Sequence, residues 1–272
     1  MKDISIQELK NTAVQMRMKV IDMIYKAQSG HPGGSLSAAD FVTACYFKYM
    51  NLDPRNPRWP DRDRMVLSKG HAAPCYYAVL AAKGFISRDE YANFRQLHSI
   101  LQGHPDAKKV PGVDASTGSL GQGVSAACGI AKELKRKGNP ARVYCMTGDG
   151  ESEEGQVWEA AMFASHYKLD NLTLFLDFNC LQIDGDIRKV LNPTPFDEKY
   201  KAFGWHTIVI DGHNFEEIEK AVAEAEQTKG MPTAIICRTI KGKGVSYMEN
   251  VADWHGKAPN EELYKIAKAE LA

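Results

Sequence analysis

Two segments that read as neighbouring β-strands are each followed by an oxygen-bearing side chain. The first segment runs into Gly148, Asp149 and Gly150, and the second ends just before Asn179. Glycine on both sides of Asp149 permits a sharp turn and a close approach of the backbone to a ligand. Magnesium takes oxygen ligands and needs only one or two protein groups when phosphate oxygens supply the rest. One carboxylate and one neutral amide therefore indicate a site for a divalent cation that carries an anionic phosphate ligand.

A glycine–aspartate–glycine triplet on its own is more often a turn than a ligand site. The asparagine at the end of the following strand favours the ligand site in this chain. The glycine-rich turn contains neither the GxGxxG of dinucleotide-binding folds nor the GK[ST] of P-loops, and the DxD of aspartyl phosphatases does not follow the strand that ends at residue 146.

The periodicity of apolar side chains predicts the elements that position these residues. Residues 6–27 carry apolar side chains at helical spacing, and the second half of the chain alternates between strand and helix patterns. Helices are predicted at 6–27, 121–137, 153–167 and 215–227, and strands at 64–68, 142–146, 172–178, 206–210 and 233–237. This rhythm predicts one α/β domain over residues 1–272, with an open, mostly parallel sheet and helices on both faces.

Two further helix starts are predicted from capping residues. Ser37 and Asp40 resemble a capping box that opens a helix running to residue 50, and Ser87 opens another helix. In parallel sheets, ligands bind beyond the carboxyl ends of the strands. Polar or glycine-rich segments follow residues 68, 146, 177 and 237, which predicts that these segments form one shared site.

Composition and charge exclude several classes of function. The 272 residues contain 34 Lys plus Arg and 34 Asp plus Glu, so the net charge gives no reason to expect a nucleic-acid or anionic-membrane partner. The sequence has no apolar signal region near its start and no stretch of about 18 apolar residues that would span a membrane. The six cysteines form no CxxC pair and are expected to be reduced, buried thiols of a cytoplasmic protein, without a metal or disulfide role.

The strand-end residues resemble the signature of thiamine-diphosphate enzymes. In that family the metal ligands correspond to Asp149, Asn179 and the backbone carbonyl of Leu181. Five other segments resemble the transketolase family and occur in its order: 29–33 (SGHPG), 67–71 (LSKGH), 102–106 (QGHPD), 117–123 (TGSLGQG) and 254–256 (WHG). The likeness covers nearly the whole chain and implies thiamine diphosphate and magnesium, or calcium or manganese in its place, as cofactors.

The resemblance also implies a role for particular residues. The implied catalytic residues are His31, His255, His104 and Glu154, the last as part of a proton-relay and subunit-contact network between the two active sites. The implied cofactor-binding residues are His71, Gly118, Ser119, Leu120, Gly150, Ile183 and Lys241. Near neutral pH, histidines suit both proton exchange with hydroxyl groups and contact with a sugar phosphate.

The implied activity is the transfer of a two-carbon ketol unit from a ketose phosphate to an aldose phosphate. The pyrimidine-binding domain of the family does not follow residue 272, so the resemblance implies the N-terminal subunit of a split transketolase. Its partner would be a C-terminal subunit, in an assembly of two copies of each with a contact between like chains. Two alternatives stay open: a component of another thiamine-diphosphate enzyme, and a noncatalytic cofactor-binding regulatory subunit.

The remaining polar residues receive structural interpretations. His98, His166, His206 and His213 fall in helix, strand or capping contexts, and Glu151 and Glu153 are expected on a solvated helix face. Gly34 departs from the family, because many relatives carry a polar residue three positions after the histidine of the SGHPG segment.

Overall fold

Five parallel strands form the central sheet of the protein, whose computed structural model describes residues 3–272. The strands are β1 (Arg64–Leu67), β2 (Val143–Gly148), β3 (Leu172–Phe178), β6 (His206–Asp211) and β7 (Thr233–Arg238), in the order β1-β2-β3-β7-β6. All neighbouring pairs are parallel, so every strand ends at the same edge of the sheet. Gly148 is in register with Asp177, which places the loops after β2 and β3 side by side.

A two-stranded antiparallel hairpin follows β3 at this edge. Its strands are β4 (Leu181–Gln182) and β5 (Gly185–Asp186), and Ile183 lies in the turn between them. The sequence patterns did not predict this hairpin, because strands of two residues are too short to show a periodicity.

Ten α-helices occur in residues 3–272. They are α1 (Ile6–Ala27), α2 (Pro32–Ser37), α3 (Ala39–Ala44), α4 (Ala73–Lys83), α5 (Gln122–Arg136), α6 (Gly155–His166), α7 (Ile187–Val190), α8 (Phe196–Ala202), α9 (Phe215–Gln227) and α10 (Glu261–Glu270). Helix α1 has the bounds that its apolar spacing predicts, and a capping box between Ser5 and Glu8 fixes its start.

The two faces of the sheet bury two separate hydrophobic cores. Along β2, Tyr144 and Met146 belong to one core, whereas Val143 and Cys145 belong to the other, because side chains alternate across a strand. Helices α1, α3, α4 and α9 cover the first face, and α5, α6 and α8 cover the second. Both faces of the sheet are thus apolar and covered by helices, as the sequence predicts.

The predicted capping box at Ser37 is wrong. The helical segment begins earlier, at Pro32, and Ala38 separates α2 from α3. The Asp40 carboxylate makes two hydrogen bonds to the Arg17 guanidinium, at 2.8 and 2.6 Å, so it does not reach back to the helix start. The Asp40 carboxylate therefore pairs with the buried Arg17 guanidinium and does not form the helix cap that the local pattern had predicted.

The other predicted helices and strands agree with the structure apart from small shifts of the boundaries. The helix opened by Ser87 is a short 3₁₀ segment, Arg88–Asn93. All six cysteines are unpaired, and Cys180 is the one among them that is not buried. Within the described range, no helix is long and apolar enough to cross a lipid bilayer. Residues 1 and 2 of the predicted domain lie outside the described residues.

Candidate active site

A cavity of about 130 Å³ opens at the carboxyl edge of the sheet. It lies among the loops that follow β1, β2, β3 and β7, which is the shared site that the polar segments predicted. Its lining includes Gly34, Lys69, His71, Leu120, Asp149, Gly150, Glu151, Asn179, Leu181, Ile183, Lys241 and His255. The three predicted metal ligands and five of the seven predicted cofactor-binding residues thus border one cavity.

Asp149 is buried at the end of β2, where backbone groups hold its carboxylate. Its Oδ1 accepts a hydrogen bond from the Gly150 N–H at 2.8 Å, and its Oδ2 accepts one from the Cys180 N–H at 2.5 Å. Burial raises the pKa of Asp149 to about 7, and the nearby Asp177 carboxylate adds to this rise. A carboxylate that burial makes costly to ionise is stabilised by a bound cation.

The oxygen donors of Asn179 and Leu181 lie on the same short segment as Cys180. The Asn179 Nδ2 donates to Asp177 at 3.1 Å, and its Oδ1 accepts from the Leu181 N–H at 3.1 Å. The Leu181 carbonyl in turn accepts from the Lys241 Nζ at 2.9 Å. A carboxylate, an amide oxygen and a carbonyl oxygen therefore border one cavity.

This donor set suits a hard cation such as Mg²⁺. No group of three His, Cys, Asp or Glu side chains in residues 3–272 could hold a metal by itself, so a zinc-type centre does not occur among the described residues. The residues that are present therefore fit a cation with mixed oxygen ligands, whose remaining coordination positions are taken by phosphate oxygens.

Four of the predicted functional histidines form a cluster. The ring of His31 lies 5.3 Å from His71, 5.5 Å from His255 and 6.5 Å from His104, measured between centroids. The rings of His71 and His255 lie 5.0 Å apart. The four residues are distant in sequence, so the fold is what brings their imidazoles together.

Burial keeps these histidines neutral. It lowers the pKa of His31 to about 4, with a further contribution from Arg95, and the pKa of His255 to about 3, with a further contribution from Lys241. Burial also lowers the pKa values of His71 and His104. At neutral pH the cluster therefore presents neutral imidazoles, which both donate and accept hydrogen bonds from hydroxyl groups.

Lys241 is buried between the metal-site segment and the histidine cluster. Its Nζ contacts the Leu181 carbonyl and the His255 Nδ1, both at 2.9 Å. Because an ammonium only donates, the His255 Nδ1 accepts and its Nε2 carries the proton. Burial lowers the pKa of Lys241 to about 8, although Asp149 opposes the shift. The lysine supplies a positive charge at the cavity wall.

The segment with Gly118, Ser119 and Leu120 reaches the cavity only through Leu120. Gly118 has a φ of +148°, and a Cβ built on it would lie 3.0 Å from the His104 ring. A Cβ built on Gly70 would lie 2.7 Å from the Gly118 nitrogen. Glycine at both positions lets this loop lie directly against the loop after β1 and against His104.

Two predicted residues lie at the border of the site. Ile183 is 69% exposed in the hairpin turn, although it lines the cavity. Glu154 is exposed at the start of α6 and does not line the cavity, and a Cβ built on Gly121 would lie 2.8 Å from the Glu154 Cβ. The predicted relay role of Glu154 stays a prediction.

The expectation that Glu151 faces solvent is wrong. Its buried carboxylate accepts hydrogen bonds from the Ser68 hydroxyl and, at 2.9 Å each, from the N–H groups of Gly121 and Gly148. Burial raises the pKa of Glu151. It joins three loops of the site, whereas Glu153 is partly exposed. Helical periodicity failed here because residues 150–153 form a 3₁₀ turn that points Glu151 inward.

Arg95 is a site residue that the sequence patterns missed. Its Nη1 donates to the Ser29 hydroxyl at 2.7 Å, and its Nη2 lies 3.3 Å from the His31 Nδ1. Its Nε is buried and has no hydrogen-bond partner. Spacing gave no signal for Arg95, because it lies in an irregular segment far in sequence from the histidine that it contacts.

The structural roles predicted for the other histidines agree with the structure for two of them. His213 bridges the Asp40 carboxylate and the Ile240 N–H, at 2.7 and 2.9 Å, and His206 pairs with Glu224 at 2.7 Å. Neither His213 nor His206 lines the cavity.

Comparison with known protein families identifies the chain. Residues 9–272 match the family described as the transketolase thiamine diphosphate binding domain. The chain belongs to the transketolase family. The recognition made from the five sequence segments is therefore confirmed.

Known relatives fall into two length classes. The chain is 45% identical to the 6-deoxy-6-sulfo-D-fructose transketolase subunit SqwG of Clostridium sp. (strain MSTE9), over 97% of this chain and 96% of that protein. It is 39% identical to one of the subunits of apulose-4-phosphate transketolase from Phocaeicola vulgatus, over 98% of this chain and 95% of that protein. It is 46% identical to human transketolase over 93% of this chain, but spans only 40% of that protein.

The fold is that of solved transketolases. The crystal structure of transketolase from Campylobacter jejuni superposes with a TM-score of 0.94 at 37% identity, over 98% of this chain and 43% of that one. The predicted parallel α/β sheet with helices on both faces is thus confirmed as the transketolase cofactor-domain fold.

Proposed function

We propose that the chain is the N-terminal subunit of a thiamine-diphosphate- and magnesium-dependent transketolase in the cytoplasm. It would transfer a two-carbon ketol unit from a ketose phosphate to an aldose phosphate together with a C-terminal partner subunit. The observation that carries this proposal is one edge of the sheet that holds both a set of oxygen donors and a cluster of neutral histidines. The two relatives named as transketolase subunits, which this chain matches nearly end to end, support the division into two polypeptides.

The metal site would use the three donors described above. The Asp149 carboxylate, the Asn179 Oδ1 and the Leu181 carbonyl would bind Mg²⁺, with Ca²⁺ or Mn²⁺ able to replace it. Lys241 and His71 border the same cavity and would face the diphosphate, where a cation and an N–H donor are favourable. When bound, thiamine diphosphate supplies the electron sink for cleaving the bond beside the ketose carbonyl.

The histidines would handle the hydroxyl groups of the sugar. His31 and His255 are neutral and lie side by side, so each can donate one hydrogen bond and accept another while a hydroxyl gains or loses its proton. His104 is more exposed and would contact a hydroxyl farther along the sugar. Arg95, which contacts His31, would hold that ring in place and add positive charge near a phosphorylated substrate.

Two exposed apolar surfaces fit the two kinds of partner. Ile183 and Leu191, 69% and 61% exposed, lie on the segment beside the cavity, and we assign this surface to the C-terminal subunit that completes the site. Met162, Phe163 and Tyr167 are exposed along α6 and at its C-cap, and we assign this second surface to another copy of the chain. These two contacts would give an assembly of two copies of each subunit.

The sugar substrate differs between the named relatives of this chain. The names of two relatives specify different sugars, a sulfonated deoxyfructose and apulose 4-phosphate. A pentose phosphate pair is our default, and the assay should include a sulfonated ketose beside it.

Reconstitution tests the proposed function. Purified chain, thiamine diphosphate, Mg²⁺ and a ketose–aldose pair are mixed with and without the candidate C-terminal subunit, and aldose consumption is followed. We expect turnover only when both polypeptides are present. Full turnover by this chain alone contradicts the two-subunit proposal, and no turnover with any ketose in the presence of a partner that binds supports the regulatory alternative. Turnover of a 2-oxo acid in place of a ketose supports another thiamine-diphosphate enzyme.

A further inference from the structure

The most deeply buried ion pair beside the cavity joins Lys69 and Asp177. The Lys69 ammonium contacts the Asp177 Oδ2, and the two side chains are 2% and 0% exposed. Lys69 also donates to the Gly34 carbonyl at 2.8 Å. A buried pair of this kind is expensive to desolvate and is often no more stabilising than an apolar pair. Stability alone therefore does not account for placing it at the edge of the site.

The Asp177 carboxylate is surrounded entirely by donors. It accepts hydrogen bonds from Lys69, from the Thr239 hydroxyl, from the Ser37 hydroxyl at 2.6 Å and from the Asn179 Nδ2 at 3.1 Å. The contact with the Lys69 ammonium and the three further donors is the environment of an ionised carboxylate. An ionised carboxylate accepts hydrogen bonds and donates none.

This environment determines which way the Asn179 amide faces. On one side the carboxylate of Asp177 accepts only, so the amide must present its NH₂ group there. On the other side the Leu181 N–H donates at 3.1 Å, so the amide must present its oxygen there. Both neighbours select the same orientation, and the oxygen is directed toward the segment that carries the Leu181 carbonyl.

We propose that Lys69 and Asp177 are positioning residues that lock the Asn179 amide with Oδ1 turned to a divalent cation. The inference rests on the metal site proposed above and adds to it the groups that act through Asn179. Without the carboxylate, the NH₂ group is free to turn toward the cation, where it cannot act as a ligand and repels positive charge. Groups that orient a metal ligand in this way typically change metal affinity by about 10- to 100-fold.

Binding of Mn²⁺ to the full chain in the presence of thiamine diphosphate, measured by the loss of the free-ion EPR signal, tests the proposal. The variant Lys69→Met/Asp177→Leu removes both charges together, so it leaves no unpaired buried charge. We expect it to bind Mn²⁺ about 10- to 100-fold more weakly than the wild type. The control Arg17→Met/Asp40→Leu removes another buried pair, whose side chains are 6% exposed and do not line the cavity, and should keep wild-type affinity.

A double-mutant cycle separates positioning from general loss of structure. If Asp177 acts through the amide, then adding Lys69→Met/Asp177→Leu to Asn179→Ala causes no further loss of Mn²⁺ affinity. Should the paired variant fail to fold, Asp177→Asn is measured in the same cycle, with the same expectation. Wild-type affinity in the Asp177 variants, an additive loss on the Asn179→Ala background, or an equal loss in the Arg17/Asp40 control overturns the inference. Wild-type affinity in Asn179→Ala is a different result, because it contradicts the metal site itself.

Discussion

The Asp149 Oδ2 accepts a hydrogen bond from the backbone N–H of Cys180 at 2.5 Å. This single contact ties the loop after β2 to the loop after β3, whose strands are in register up to Gly148 and Asp177. Cys180 lies between Asn179 and Leu181 in the chain. The hydrogen bond therefore brings all three proposed metal donors to one place, although the sequence separates them by a helix and a strand.

Removing either side-chain ligand should strongly weaken metal-dependent cofactor binding without unfolding the chain. Loss of the Asp149 carboxylate leaves the Gly150 and Cys180 N–H groups without their acceptor, but it also relieves the cost of a buried carboxylate whose pKa burial raises to about 7. The two effects oppose each other, so the net loss of stability should be small. We expect Asp149→Ala and Asn179→Ala to keep melting temperatures within a few degrees of the wild type. Thiamine diphosphate titrations with Mg²⁺, read by fluorescence quenching, should show no saturation at the concentrations that saturate the wild type, and the residual binding should be measurable only at higher concentrations.

A matched control for this pair is Asp184→Ala. Asp184 is an exposed acidic residue that borders the same cavity, and it is not among the proposed ligands. It should retain wild-type cofactor binding. Wild-type binding in Asp149→Ala or Asn179→Ala would contradict the assignment of the metal site.

Much of the fold could be predicted from sequence because its elements are regular. Helix α1 and helix α9 have the bounds that apolar spacing predicts, and the five sheet strands fall within two residues of their predicted ends. Each of these elements buries one face or both faces against a core, so hydrophobic periodicity records its position. The hairpin β4–β5 produces no hydrophobic periodicity, because its four strand residues are only partly buried.

The sequence predicts the site residues that stand in glycine-rich segments or have side chains typical of metal ligands. It does not predict the site residues whose partners are distant in the chain. Asp149 and Asn179 follow strands, so their positions were visible in the sequence. Glu151, Arg95 and Lys69 act through partners that are distant in the chain: Ser68, His31 and Asp177. Local patterns contain no information about such pairs, and only the folded sheet edge brings them together.

His31 and His255 should be needed for turnover and not for cofactor binding. Both imidazoles belong to the cluster and neither has an oxygen donor of the proposed metal site as a hydrogen-bond partner. In the complex with the partner subunit, we expect His31→Ala and His255→Ala to lower kcat by about a hundredfold or more. His206→Ala, which removes a histidine that pairs with Glu224 outside the cavity, is the control. Turnover at the wild-type rate in both variants would exclude the assigned substrate contacts.

The stability of the chain should fall in mild acid because of His31. Its pKa is lowered from 6.5 to about 4 by burial and by Arg95, His104 and Lys241, so the unfolded chain binds more protons in this range. The contribution of neutral His31 to the free energy of unfolding is fully present above about pH 6.5 and declines as the pH falls toward 4. The melting temperature of His31→Gln should therefore drop less than that of the wild type between about pH 7.5 and pH 5. Parallel curves for the two proteins would show that His31 does not titrate as described.

Glu151 should be a structural centre of the site. Its replacement by alanine leaves the N–H groups of Gly121 and Gly148 and the Ser68 hydroxyl without their acceptor. We expect Glu151→Ala to lose at least about 2 kcal/mol, which lowers the melting temperature by roughly 4–8 °C. Glu153→Ala, on the same 3₁₀ turn and partly exposed, should shift it by less than about 2 °C. Differential scanning calorimetry compares the two, and equal shifts would refute the special role of Glu151.

Gly34 should accept a serine and gain a contact from it. Glycine is not required by the backbone at this position, and an added Cβ would lie 3.4 Å from the His71 Nε2 and 3.6 Å from the Lys69 Nζ, which are ordinary contact distances. The serine hydroxyl would lie at the wall of the cavity, which Gly34 lines. One added hydrogen bond to a phosphate is worth about 1 kcal/mol, so Gly34→Ser should lower the KM for a phosphorylated ketose roughly fivefold at unchanged kcat. Gly34→Ala fills the same space without the hydroxyl and should keep the wild-type KM. Equal KM values for the serine and alanine variants would show that the missing hydroxyl has no part in substrate binding.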